Sequence, residues 1–211
     1  MPEHLRWTPA GSGPDPAPGA ELTGTIRWGE AEGPEPLLVH EISVPLGPVT
    51  LGELADDEPM LRLHSIRFGV RSWRELAGRD FTFPTVVREI EEEGESTPVF
   101  DIYGSLRLGE GYHEVVPSGV VFGAIDGCRV TVTITGQVRP VAPVPAFETT
   151  DFTCAATLTL GPVTVRGDLA SSEVPDAAGA GELATRLLRV EDYRSPRPRR
   201  GVIVVEPDCG S

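Results

Sequence analysis

Between Cys128 and Arg139 apolar and polar residues alternate without a break, and this alternation constrains the fold more tightly than any other feature of the chain. Cys128, Val130, Val132, Ile134 and Val138 face one way; Arg129, Thr131, Thr133, Thr135, Gln137 and Arg139 face the other. A period of two belongs to an extended strand with one face buried. Phe152–Leu160 repeats it, with Phe152, Cys154, Ala156, Leu158 and Leu160 against Thr153, Ala155, Thr157 and Thr159. Phe100–Leu108 carries Phe100, Ile102, Leu106 and Leu108 on one face. Shorter segments at 22–28, 37–45, 48–54, 60–70, 112–122, 162–169, 185–194 and 201–206 extend the pattern to about ten short strands. The 24 Gly and 21 Pro residues supply the turns between them. The expected fold class is all-β, an antiparallel sandwich or barrel.

Helix is scarce. Ser72-Trp73-Arg74-Glu75 fits a capping box stopped by Gly78, a helix of about two turns. Pro84–Glu93 reads as a second, with Pro84 at the first helical position and Gly94 beyond the end. Against it stand the β-branched Thr85-Val86-Val87.

Residues 1–20, rich in Pro and Gly and without periodicity, read as a flexible N-terminal arm. Further on, two parts of the chain resemble each other. Thr23-Gly24-Thr25-Ile26-Arg27 matches Thr135-Gly136-Gln137-Val138-Arg139, and Leu46-Gly47-Pro48-Val49-Thr50 recurs as Leu160-Gly161-Pro162-Val163-Thr164. Gly52-Glu53-Leu54-Ala55 then matches Gly167-Asp168-Leu169-Ala170, and Met60-Leu61-Arg62-Leu63 matches Leu187-Leu188-Arg189-Val190. Ordered matches of this kind predict two duplicated β-units packed as one compact domain. The first spans 21–133 with an insertion near 69–126; the second spans 134–211, with a loop insertion over Ser171–Glu182.

A formal charge of -14 disfavours nucleic-acid and anionic-membrane partners, which both demand a basic face. All 18 basic residues are Arg. Without Lys there is no Schiff-base chemistry, no P-loop and no kinase-type strand lysine. The N-terminal stretch lacks the apolar core of a signal peptide, and no run approaches a membrane span. Cys128, Cys154 and Cys209 are odd in number and widely spaced. That matches neither a disulfide framework nor a zinc pattern, so a cytoplasmic protein with reduced thiols is expected.

Catalytic signatures are absent: there is no G-x-S-x-G, no H-E-x-x-H, no dinucleotide fingerprint. No cofactor and no metal site is predicted. What remains is a set of polar residues on apolar faces. His40 alternates with Leu38, Ile42, Val44 and Leu46, so it points inward. An inward histidine is ordinarily a hydrogen-bonded core residue; the sharper reading is a ligand contact or proton-transfer group, because imidazole titrates near neutral pH. Arg62 and His64 share a face with Met60, Ile66 and Phe68, and the matching places in the second unit carry Arg189, Glu191 and Tyr193. Charges among large apolar groups sit either on a half-solvated edge strand or along a wet pocket. His40 and His64 are therefore the candidate acid–base residues, and Arg62, Trp28, Glu191 and Tyr193 the candidate ligand contacts. His113 reads as a turn histidine. Arg194-Ser195-Pro196-Arg197-Pro198-Arg199-Arg200 is the one basic run, and Glu89–Glu95 its acidic opposite.

Two functions fit. One is a small-molecule-binding β-protein with an internal pocket or inter-unit groove, acting as a carrier or as a cofactor-free cyclase or isomerase. The other is a non-catalytic protein–protein interaction protein such as an adaptor, an inhibitor or immunity-type protein, or an assembly subunit. A roomy apolar cavity with convergent polar groups favours the first; a solid core favours the second.

Overall fold

The computed structural model describes residues 5–10, 16–28, 35–84, 87–92, 95–100, 102–141, 147–166, 177–199 and 202–210. In chain order its strands are β1 (Leu5–Trp7), β2 (Glu21–Trp28), β3 (Pro36–Pro45), β4 (Val49–Leu51), β5 (Leu54–Asp56), β6 (Met60–Ile66), β7 (Asp80–Thr82), β8 (Val87–Glu92), β9 (Glu95–Phe100), β10 (Tyr103–Leu108), β11 (Gly111–Asp126), β12 (Arg129–Arg139), β13 (Thr150–Val165), β14 (Arg197–Arg199) and β15 (Val202–Val205). Helix α1 spans Ala177–Leu187, and 3-10 turns form at Trp73–Leu76 and Val190–Asp192. No described helix is long and apolar enough to cross a membrane.

Seven strands close a barrel in the order β12-β11-β10-β6-β3-β2-β13 and back to β12. Every neighbouring pair is antiparallel except β2 and β13, which run parallel. The odd strand number forces this. Direction alternates around the ring, so one adjacent pair must share it. The parallel seam is crowded by side chains at two glycines. A Cβ on Gly24 would lie 2.9 Å from the Val163 side chain, and one on Gly161 would lie 2.8 Å from that of Thr23.

Alternation fills the interior. Val130, Val132, Ile134 and Val138 of β12 are buried, as are Phe152, Cys154, Ala156 and Leu158 of β13. Leu61, Leu63, Leu106, Val115, Val120 and Phe122 belong to the same core. Each large side chain removed from water in this way contributes about 1.5–3 kcal/mol.

The long strand β13 joins the barrel to a second layer. One edge pairs first with β12 and then with β15; the other pairs first with β1 and then with β2. Its far end, with β2 and β15, packs against α1 through Ile26, Val163, Val165 and Ile203 on the sheet and Ala180, Leu183, Ala184 and Leu188 at the helix.

Several expectations change here. Residues 5–10 and 16–20 are docked rather than a free arm. β1 pairs with Phe152–Cys154, and Trp7 stacks on Phe152 with ring centroids 4.2 Å apart. The 72–78 helix is a single 3-10 turn, although Ser72 does cap it by accepting from the Arg74 N–H at 3.0 Å. Pro84–Glu93 is not helical over its described part. Val87–Glu92 forms a hairpin with β9, as its β-branched residues favour; 85, 86, 93 and 94 lie outside the described residues. The strand expected at 185–194 is the end of α1 and a 3-10 turn, because the apolar spacing there is helical. Leu46–Thr50 makes the expected turn into β4, but Leu160–Thr164 runs on inside β13 with only a shift in its pairing to β2. The segment at 69–126 supplies two barrel strands, β10 and β11. Residues 167–176, which hold one of the repeat matches, lie outside the described residues.

The cysteine expectation is also corrected. Cys128 and Cys209 form a disulfide with Cα atoms 5.1 Å apart; Cys154 is free and buried. The two are 81 residues apart in sequence, so spacing carried no hint of the pair. β15 returns along β13 beside the start of β12, which brings the C-terminal tail to the Gly127-Cys128 turn.

Candidate functional site

His40 sits where the barrel seam and the second layer meet. It pairs with Gly24 across β2–β3 and is 8% exposed. Its ring lies 5.1 Å from that of Phe68, and its Nδ1 is buried without a partner among the described residues. Burial pushes its pKa down to about 4, against a hydrogen bond from the ring to the Ile66 backbone that pulls the other way. The imidazole is therefore neutral across the ordinary pH range. It borders a cavity of about 20 Å³ together with Tyr193, Trp73 and Gly161, room for one water molecule and no more.

The Arg62 face is corrected. Leu61 and Leu63 point inward and Arg62 outward. The cause is Ser65, which adopts a φ of 56°. The pairing of β3 with β6 steps from Ile42–Leu63 to His40–Ile66, so β6 carries one extra residue there. Beyond this bulge the alternation changes phase, and Ile66, Phe68 and Val70 turn inward. The Ser65 hydroxyl accepts from the Arg27 guanidinium at 2.9 Å. His64 ends on the outer wall, 3.6 Å from a Glu41 carboxylate oxygen and against the exposed ring of Tyr103. Trp28 closes β2 opposite Pro36; its side chain lies outside the described residues. Glu191 is exposed beside Arg189. His113 is no turn residue: it is buried in β11 against Phe147, and burial lowers its pKa. His40, His64 and His113 thus occupy three separate places. Among the described residues no group of three or more His, Cys, Asp or Glu is arranged to hold a metal.

Tyr193 is the predicted contact that does line a sizeable cavity. It packs against both hydrophobic clusters, and burial pushes its pKa up to about 12. A groove of about 420 Å³ runs between α1 and the chain that follows it. Gly181, Ala184, Thr185 and Leu188 form the helix wall; Val190, Tyr193, Pro196 and Val205 face them, and Arg194 and Ser195 complete the lining. A shallower depression of about 330 Å³ lies over the β11–β12–β13 wall near Gly136.

One polar cluster holds the groove's outer wall to the barrel. Asp192, 7% exposed, accepts from the Ser72 hydroxyl at 2.6 Å and from Arg74 Nε at 2.8 Å. Its carbonyl accepts from the Trp73 indole at 3.0 Å and the Asp208 N–H at 2.9 Å. Arg189 adds an ion pair to Glu75 at 2.7 Å. Reading the sequence as strands missed Asp192 and the helix wall. The signal for the helix was Ala180, Leu183, Ala184, Leu187 and Leu188, a helical spacing.

Comparison with known proteins returns no matching family model, curated protein or solved structure.

Proposed function

We propose that this protein is a non-catalytic binder of a small apolar molecule, held outside the barrel in the groove between α1 and residues 190–196. The observation that carries the reading is the groove itself. Its volume falls in the range of ligand pockets, and its lining is mostly apolar with a few polar groups. The filled barrel supports a site outside it rather than the internal pocket expected from sequence. A carrier fits better than a cyclase or isomerase, because the described residues of the groove lining include no His, Asp, Glu or Cys to act as acid or base near neutral pH. The Cys128–Cys209 disulfide favours an oxidising compartment over the reducing cytoplasm.

Titration with N-phenyl-1-naphthylamine, an uncharged apolar fluorophore, tests the groove. Binding should saturate at one site. Thr185→Trp, which fills the groove mouth from an exposed position, should abolish it without changing the far-UV circular dichroism. Absence of saturable binding would overturn the reading. That outcome would favour the second one, an interaction protein, which draws on the same packed interior and on the charge of -14.

A further inference from the structure

Among the described residues that line the groove, the one charged side chain is a cation, Arg194, in a chain with 32 acidic and 18 basic residues. The Arg194 main chain is anchored by its N–H, which donates to the Glu206 carbonyl at 2.9 Å. The Glu206 carboxylate is held by Arg197 first and then by Arg199, and Arg194 adds the weakest pull of the three. Arg197 hydrogen-bonds Oε1 directly, and Arg199 lies 3.8 Å from the same oxygen. These contacts, the Arg197 hydrogen bond first, hold the Glu206 carboxyl below the usual carboxylate range. Arg197 and Arg199 stand two apart on β14, so both side chains leave the same face. Arg197 and Arg199 thus both hold the Glu206 carboxylate, and Arg194, bonded to the Glu206 main chain, is the cation that lines the apolar groove.

Resting on the groove reading above, we infer that the ligand is an amphiphilic carboxylic acid. Its apolar body lies between α1 and β15, and its carboxylate lies on the Arg194 guanidinium with Arg197 and Arg199 behind. A guanidinium presents two parallel N–H donors that match a carboxylate's two oxygens. Leu188 and Val205 receive the apolar body, and Arg194 selects the head.

Calorimetric titration of the full oxidised chain with decanoate and with decanol, both below their aggregation limits, tests this. Decanoate should bind one site at least about tenfold more tightly than decanol, and only its affinity should fall with rising salt. Arg194→Gln, at an exposed position, should remove the difference between decanoate and decanol, and with it the salt dependence, while the melting temperature stays the same. Equal affinity for the two probes, or decanoate binding untouched in Arg194→Gln, would overturn the carboxylate inference while the groove reading stands. Failure of both probes to bind a folded protein would overturn both.

Discussion

His40 is held neutral by its surroundings, and this ties the protein's stability to acid. Its pKa is about 4 folded and 6.5 in its ordinary state. As pH falls, the unfolded chain takes up the proton first. The contribution of the neutral ring is therefore complete above pH 6.5 and is lost as pH drops through 4. At about 1.4 kcal/mol per pH unit the full loss is about 3 kcal/mol. Urea unfolding at a series of pH values should show it. In His40→Phe the fall between pH 6.5 and 4 should flatten; an unchanged profile would assign it to another group, His113 first. His40→Ala should cost roughly 1–3 kcal/mol at neutral pH, because a buried imidazole leaves a void and a stranded carbonyl. The inward direction of His40 was legible because its neighbours alternate cleanly through Leu46. Arg62 was not legible. Both alternate sets over Met60–Phe68 contain apolar residues, Leu61 and Leu63 on one side and Met60, Ile66 and Phe68 on the other. Only the positive φ at Ser65 decides between them, and a serine does not announce that conformation.

At the scale of elements, β12 and β13 were readable residue by residue, because each has one wet face and one dry face. Helix α1 was obscured by Gly179 and Gly181, which lower helix propensity and mimic loop composition. Its formation rests on packing against β2, β13 and β15 rather than on intrinsic preference. A prediction follows from the space around Gly181, where an added Cβ meets nothing within 4 Å. Gly181→Ala should stabilise the fold by about 0.5–1 kcal/mol, read as a higher melting temperature. The clamp at Asp192 should behave oppositely. Asp192→Ala leaves the Ser72 hydroxyl and Arg74 Nε without their carboxylate acceptor, and a loss of roughly 1–3 kcal/mol in denaturant unfolding is expected.

For the whole molecule, barrel closure depends on β13 reaching back to β12 on one side and to β2 on the other. No local pattern encodes which distant strands meet, so the sequence supported a barrel or a sandwich equally. The disulfide was hidden for the same reason. Cys209→Ser should cost about 2–5 kcal/mol, the range for removing a disulfide that closes a long loop. Thiol counting by mass after alkylation checks the pairing independently. The native protein should resist, since Cys154 is buried and its pKa is pushed up to about 12; the unfolded, unreduced chain should take one label, and the reduced chain should take one on each of the three cysteines. The bond also turns everything from Cys128 to Cys209 into a covalent ring. The exposed arginines Arg194 and Arg199 lie within that ring. A trypsin-like cut after either one opens the ring without releasing a fragment: the tail stays tethered to the β12 turn, and the cut molecule separates into two pieces only when a reductant reaches it.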